Sequence, residues 1–372
     1  MKLLYLGYMV HPKNIRRVKQ ILPFVAFWLI FSLVYSLIEY GIIGDLGHYP
    51  STGNLYNFKG NLLFGVSVCL IVGLLQGCIE VLWLRKRFIH QPLWVKVVLK
   101  TIFYLLFISF FLILFSTLNS LINFTEGDIN FAFEELEKFA GSFAFWSIVI
   151  YISVAIGMAI LFSEMSQHLG DGVLYNFLFG KYHRPIHETR IFMFLDMKGS
   201  TSIAENIGHK RYFNLLKEYY ADMTNAILET SGDIYQYVGD EIVVSWTKRD
   251  GLYKNNCIRC FEKIHYAIQQ KKEIYGNHFG TVPEFKAGYH IGEVTTGEIG
   301  IIKKDIIYTG DILNTAARIQ SQCNSYNAQA LISENLLDEL QKKEPIDCKQ
   351  IGSLTLRGKK ESIQLFSVVF KN

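Results

Sequence analysis

Four apolar runs, about Gln20–Tyr40, Asn61–Leu84, Val97–Leu118 and Gly141–Phe162, limit what the first part of this chain can become. Each is long enough to cross a bilayer, which takes about 20 residues of helix. Within lipid every backbone N–H and C=O must be satisfied internally, so such runs fold as helices. Composition agrees: of 372 residues, 50% are apolar and only 19% charged, a membrane-like balance. The first run follows a basic segment and is long enough to be retained rather than cleaved as a secretory signal.

The segments between the runs set an orientation. Lys13, Arg16, Arg17 and Lys19 precede the first run, and Arg85, Lys86, Arg87 and Lys96 bracket the link between the second and third. Gly41–Gly60 is nearly uncharged, whereas Leu118–Ala140 carries Glu126, Asp128, Glu134, Glu135 and Glu137. The positive-inside rule then puts the amino terminus, the Arg85–Lys96 link and everything after Phe162 in the cytoplasm, with the chain in the cytoplasmic membrane. Glu39, Glu80 and Lys100 fall within about a turn of the expected interfaces, where they are expected to reach water and to carry no function. No run contains a histidine, which argues against an intramembrane bis-histidine haem. A small ligand entering from the Gly41–Gly60 or the Leu118–Ala140 side and a plain anchor that also dimerises are both open. A net charge of +4 is too small and dispersed to indicate nucleic acid. The six cysteines show no disulfide framework, and Cys257 and Cys260 read as two positions on an amphipathic helix rather than half a zinc site.

Ser163–Thr189 follows as a linker. Leu174, Phe177, Leu178 and Tyr182 sit at helical spacing, and Gly180 with Pro185 ends the pattern. A short amphipathic helix here could pair with its copy in a dimer. His168, His183 and His187 match no common metal spacing and read as solvated linker residues.

Arg190–Thr201 begins the second half: an apolar strand, Ile191-Phe192-Met193-Phe194-Leu195, runs into Asp196 and a turn through Gly199. Asp196 could cap the next helix, or stand at a strand end where the turn offers N–H groups to a phosphate. In Asp233–Trp246 alternating bulky residues flank Gly239-Asp240, which reads as a hairpin with an acid at its tip. A turn alone would account for that pair. Two carboxylates at adjacent strand ends can also hold a pair of Mg²⁺ ions, which favour oxygen ligands and nucleotide phosphates.

With Tyr308–Gln320 added, the last half of the chain resembles the catalytic domain of class III nucleotide cyclases. The matching pieces are Phe194-Leu-Asp-Met-Lys-Gly-Ser-Thr201, Val238-Gly-Asp-Glu241, Lys286–Gly292 and Gly310–Arg318, in the family's order. The apolar runs make a four-span α-helical membrane domain (1–162) and Ser163–Thr189 a transducer linker, while the resemblance implies an α+β catalytic domain (190–372) with a mixed sheet, packed helices and a ferredoxin-like core. The residues themselves read as a helix over Ser200–Thr230, the Ile234–Trp246 hairpin and a helix over Leu252–Tyr275. Strands at Glu284–His290 and Glu293–Ile299 follow, with another ending at Thr309. A helix at Asp311–Cys323, a strand at Gln329–Ser333, a helix at Glu334–Lys343 and a hairpin over about Cys348–Phe370 complete the reading.

By resemblance, the ribose 3′-hydroxyl of ATP attacks the α-phosphate and pyrophosphate leaves, with two Mg²⁺ (or Mn²⁺) ions assisting. Asp196, Asp240 and the carbonyl of Met197 match the metal ligands. Asn314 matches the ribose-orienting residue, and Arg318 the one that stabilises charge on the α-phosphate. Lys286 and Arg357 match the triphosphate cations. Gln236 and Ile307 occupy the purine-reading positions but fit neither the adenylyl nor the guanylyl pattern. ATP is preferred by analogy, with GTP as the alternative. The family pattern also implies a head-to-tail homodimer. A diguanylate cyclase would need Gly where Val238 stands and lacks an Asn–Arg pair. A catalytically degenerate membrane receptor would not be expected to keep both carboxylates, Asn314 and Arg318.

Overall fold

The computed structural model describes residues 12–49, 55–88, 91–123, 137–138, 140–169, 180–302, 304–340, 346–355 and 362–370. The chain divides into two compact units, Ile15–Tyr175 and one that includes Asn176–Asn372.

In the first unit the apolar runs form α1 (Pro12–Ile43), α2 (Phe58–Ile79), α3 (Leu93–Asn123) and α4 (Phe143–Leu169). Each contains a segment long and apolar enough to cross a membrane. Large side chains such as Leu37, Leu63, Phe64, Leu106 and Ile150 face outward, as expected where the surroundings are lipid rather than water. The inner core is small: Phe24, Trp28, Leu84, Tyr104, Ile156, Ala159 and Ile160. Small residues let helices close in on one another. A Cβ at Gly73 would lie 2.9 Å from Val25 Cα, and one at Gly77 only 2.8 Å from Ile21 Cγ2, so α1 lies directly on α2.

The sequence reading of Glu80 and Lys100 is overturned. Both are buried, at 1% and 0% exposed, and they form an ion pair. Lys100 also pairs with Glu164 of α4 at 2.7 Å, and Lys96 reaches the same carboxylate at 3.2 Å. Tyr104 donates to Glu80 at 3.3 Å. The four charges cancel, which is the condition under which ionised groups are tolerated away from water. Linear spacing alone could not reveal this, because the partners lie on three helices. Glu80 also opens a π-helical turn, Glu80–Leu84, that continues α2.

The second unit is built on β1 (Ile186–Met197). Its strand begins inside the segment read as linker, and His187 shares a 3.0 Å hydrogen bond with Thr295 there. Leu174, Phe177 and Leu178 lie outside the described residues. After β1 come α5 (Ser200–Ile207) and α6 (His209–Glu229). They were read as one helix, but Gly208, at φ +82°, breaks it. The hairpin is β2 (Asp233–Val238) and β3 (Glu241–Thr247), followed by α7 (Asn256–Gln270) and α8 (Lys272–Phe279) in place of one continuous helix. β4 (Phe285–Ile299) is a single long strand where two were expected, because the Ile291-Gly292 step stays extended against β1. Then follow β5 (Asp305–Thr309), α9 (Asp311–Ser321), β6 (Ala330–Ser333), α10 (Glu334–Glu339), β7 (Cys348–Thr355) and β8 (Ser362–Val368).

The strands join in the order β2-β3-β1-β4-β6-β8-β7, with β5 also on β4. All neighbours are antiparallel except β4 and β6. β1 is central and buried on both faces, which explains its unbroken apolar run. Ile191, Met193 and Leu195 pack with Leu215, Tyr219, Phe261 and Ile264 on one side. Phe192 and Phe194 pack with Val243, Ile312 and Ala316 on the other. Gly288 is where α9 lands: a Cβ there would sit 2.2 Å from Gln320 N and 2.7 Å from Ala316 O.

Candidate active site

Because β1 pairs with strands on both sides, its last turn of residues has neighbours fixed by register. Asp196 stands opposite Glu241 of β3 and opposite Lys286 of β4. The β2–β3 hairpin turns through Gly239-Asp240, with Gly239 at φ +63°, a conformation that suits glycine. Tyr220 of α6 clamps this turn by donating to the carbonyls of Gly239 (3.0 Å) and Glu241 (3.4 Å). Asp240 is thereby held beside Asp196.

Burial and the Asp240 carboxylate raise the pKa of Asp196 above its ordinary value, while Lys286 pulls the other way. Lys286 Nζ lies 3.4 Å from Asp196 Oδ2. Glu241 is pushed up to about 7 by burial and by the same two acids. The donor set therefore carries more negative charge than one lysine offsets, and all of it is oxygen. That fits a hard divalent cation, which binds through one or two carboxylates and completes its shell with phosphates and water. Among the described residues no cluster of three or more His, Cys, Asp and Glu side chains could hold a metal alone. Met197 ends β1, with its side chain buried in the core at 2% exposed.

Asn314 and Arg318 lie one turn apart on α9, Asn314 exposed and Arg318 half-buried, while Ile312, Thr315, Ala316 and Ile319 of that helix are buried. The residue of α9 that meets the carboxylates is Gln320, whose Nε2 donates to Asp196 Oδ2 at 3.2 Å. Two residues correspond to about 200° around a helix, so Arg318 points away from its own chain's acids. The structure thus gathers Asp196, Asp240 and Lys286 and leaves Asn314 and Arg318 on another surface.

Gln236 is exposed on β2, next to a register shift, and Ile307 is half-buried on β5 opposite Gly297. Their chain neighbours meet: the rings of Tyr235 and Tyr308 are 4.9 Å apart, and Phe192 touches both. Arg190 lies over Tyr308 at 4.7 Å and bonds to Ser245 at 2.7 Å. Arg357 lies outside the described residues.

Sequence reasoning missed Gln320 and Glu241. A glutamine one position beyond the apolar stripe Ile312-Ala316-Ile319 is a weak signal of a polar contact across the sheet. Glu241 was more accessible, since a two-residue turn at Gly239-Asp240 must start the return strand beside β1.

Known proteins bear on the same part of the chain. The family described as "Adenylate and Guanylate cyclase catalytic domain" matches residues 183–368. The chain is 32% identical over 222 residues to "Adenylate cyclase 2" of Rhizobium meliloti (strain 1021), covering 60% of this chain and 61% of that protein. It is 27% identical over 186 residues to "Adenylate cyclase" of Anabaena cylindrica, covering 47% of this chain and 36% of that one. The chain therefore spans less than two thirds of these relatives' own lengths. A bacterial light-regulated adenylyl cyclase structure superposes with a TM-score of 0.51 at 18% identity, covering 60% of this chain and 64% of the other, and so shares the fold. The matched segment holds β1 to β8, the paired acids and the outward face of α9, and on that match the chain belongs to the adenylate and guanylate cyclase catalytic domain family.

Proposed function

We propose that the chain is a membrane-bound adenylate cyclase that converts ATP to 3′,5′-cyclic AMP and pyrophosphate in a head-to-tail homodimer. The observation that carries this reading is the pair Asp196–Asp240, set side by side at the ends of β1 and the β2–β3 turn, with the Asp196 pKa raised by burial and by its neighbour. Asp196, Asp240 and the Met197 carbonyl would hold two Mg²⁺ or Mn²⁺ ions, which supply a more acidic ribose 3′-hydroxyl and neutralisation of the triphosphate. Lys286, beside Asp196, contributes a cation for phosphate oxygens. Arg318 of a second copy stabilises charge growing on the α-phosphate, and Asn314 of that copy orients the ribose. The outward placement of both on α9 supports a site completed by another chain. Gln236 can donate to or accept from the base edge, and Ile307 packs against it.

ATP is favoured over GTP by the names of the relatives. Four helices long and apolar enough to cross a membrane support a place in the cytoplasmic membrane, with the catalytic domain on the cytoplasmic side, where they would raise the effective concentration of the pair. That arrangement supports the reading that the membrane domain regulates the enzyme. Purified full-length protein given ATP or GTP with Mg²⁺ or Mn²⁺ should form cyclic AMP, identified by mass. Cyclic GMP as the main product, or no cyclic nucleotide under any combination, would overturn the reading.

A further inference from the structure

A cavity of about 880 Å³ lies among α1, α2, α3 and α4, within the range of pockets that hold small ligands. Most of its wall is apolar; Ser32, Ser36 and Tyr151 also line it, and further polar groups stand around Glu39 and around Gln76. At one end Glu39 accepts from Tyr49 at 3.1 Å, and Tyr49 in turn accepts from Asn61 Nδ2 at 2.8 Å. At the other, Gln76 is 3% exposed and accepts from Trp28 Nε1 at 2.6 Å. Its Nε2 has no partner among the described residues. A buried amide donor left unmet is costly, and an acceptor oxygen on an occupant would remove that cost. Trp28 and Glu39 are eleven residues apart on α1, so the two ends are separated by about 16 Å at the helical rise.

The charge of the lining narrows the chemistry further. Among the described lining residues Glu39 is the only acid, and there is no Lys, Arg or His. An anionic head group would meet a carboxylate with no counter-ion, whereas a hydroxyl or amine can donate to it.

We propose that this cavity binds a single-chain amphiphile whose hydroxyl or amino head donates to Glu39 and whose far end carries an acceptor oxygen toward Gln76. A long-chain diol or amino alcohol is the simplest member of that class. Binding here is independent of which nucleotide the cyclase domain takes.

The test uses the full chain in phosphatidylcholine nanodiscs, titrated with dodecanol brominated at its tail end. Bromine delivered to the Gln76 end quenches Trp28, so quenching should saturate. The saturable part should vanish in Trp28→Phe and weaken in Cys69→Phe, which narrows the cavity from its wall. Trp83, Trp94 and Trp146 are exposed on the helices and report partition into the bilayer as a linear background. Dodecanediol should displace the probe at a concentration several-fold lower than dodecanol, and ionised dodecanoic acid should need at least ten times more. Glu39→Gln should weaken the probe about tenfold, the effect of losing a charged acceptor, and should erase the discrimination against the acid. Quenching that stays linear and is indifferent to Trp28→Phe would mean bilayer partition only and would overturn the site. Equal displacement by dodecanoic acid would overturn the head-group assignment, and Glu39→Gln, which keeps the size and removes the carboxylate charge, keeps the test decisive if Cys69→Phe fails to fold.

Discussion

Gln320 donates from α9 to Asp196 across 3.2 Å, so the helix that carries Arg318 touches its own chain's acids with a different face. A site needing both Asp196 and Arg318 then requires two copies. Coexpressing Asp196→Ala with Arg318→Ala, each inactive alone, should restore activity. Random pairing yields mixed dimers with one site intact and one carrying both lesions, hence roughly a quarter of wild-type cyclic nucleotide formation. Demonstrated mixed dimers without recovery would reject the shared site.

Removing either acid from the pair tests the cation site directly. Asp196→Ala and Asp240→Ala should each abolish cyclisation while the protein remains folded, because the other ligands cannot replace the lost charge. Chelating divalent cations from the wild type should have the same effect, reversed by adding Mg²⁺ or Mn²⁺. Near-normal turnover in either variant would refute the assignment.

Base choice is open to a direct exchange. Gln236→Lys with Ile307→Asp replaces an ambivalent amide and an apolar group by a donor and an acceptor. The ATP/GTP ratio of kcat/KM should rise, since hydrogen-bonding sites discriminate far more strongly than apolar ones. An unchanged ratio in an active double mutant would show that these positions do not read the base.

Gly288→Ala should be more harmful than its size suggests. The added Cβ would fall 2.2 Å from Gln320 N and 2.5 Å from Gln320 Cα, both backbone atoms, so α9 must lift from the sheet. Overpacking of this kind costs about 1–3 kcal/mol or more. The midpoint of thermal inactivation should fall, and cyclase activity should drop as Gln320 and the outward face of α9 shift together.

Lys100→Met should destabilise the helical bundle. Glu80 and Glu164 would then be left with Lys96, which reaches only Glu164. Breaking a buried ion pair from one side typically costs about 3–5 kcal/mol. Thermal unfolding in detergent should show the loss. Pairing Lys100→Met with Glu80→Leu should recover much of it, and failure to do so would mean that lost packing, not stranded charge, is responsible.

What could be read in advance follows from how local the determinant is. Asp196 announced itself because an apolar strand ending in an acid is one continuous string, and its register against β3 and β4 sets the rest. Gly288, by contrast, looks like any strand glycine until α9 is laid on it. The split of the long helix at Gly208 was missed because a lone glycine is tolerated in many helices, and only its φ of +82° shows that the chain turns there. Lys100 was misjudged for a similar reason: distance along a span says where a charge sits in depth, not which helix faces it.

The contact between Lys286 and Asp196 also sets an order of preference among binding partners. In the free protein each neutralises part of the other, with side chains only 11% and 25% exposed. A cation that engages Asp196 releases Lys286 for an anion, and an anion that engages Lys286 leaves Asp196 freer for a cation. The two affinities must then reinforce one another by the same factor in both directions, as thermodynamic linkage requires. Affinity for a triphosphate measured without divalent ions would be weaker than with them by that factor. Lys286→Gln, which severs the exchange, should make the two bindings more nearly independent.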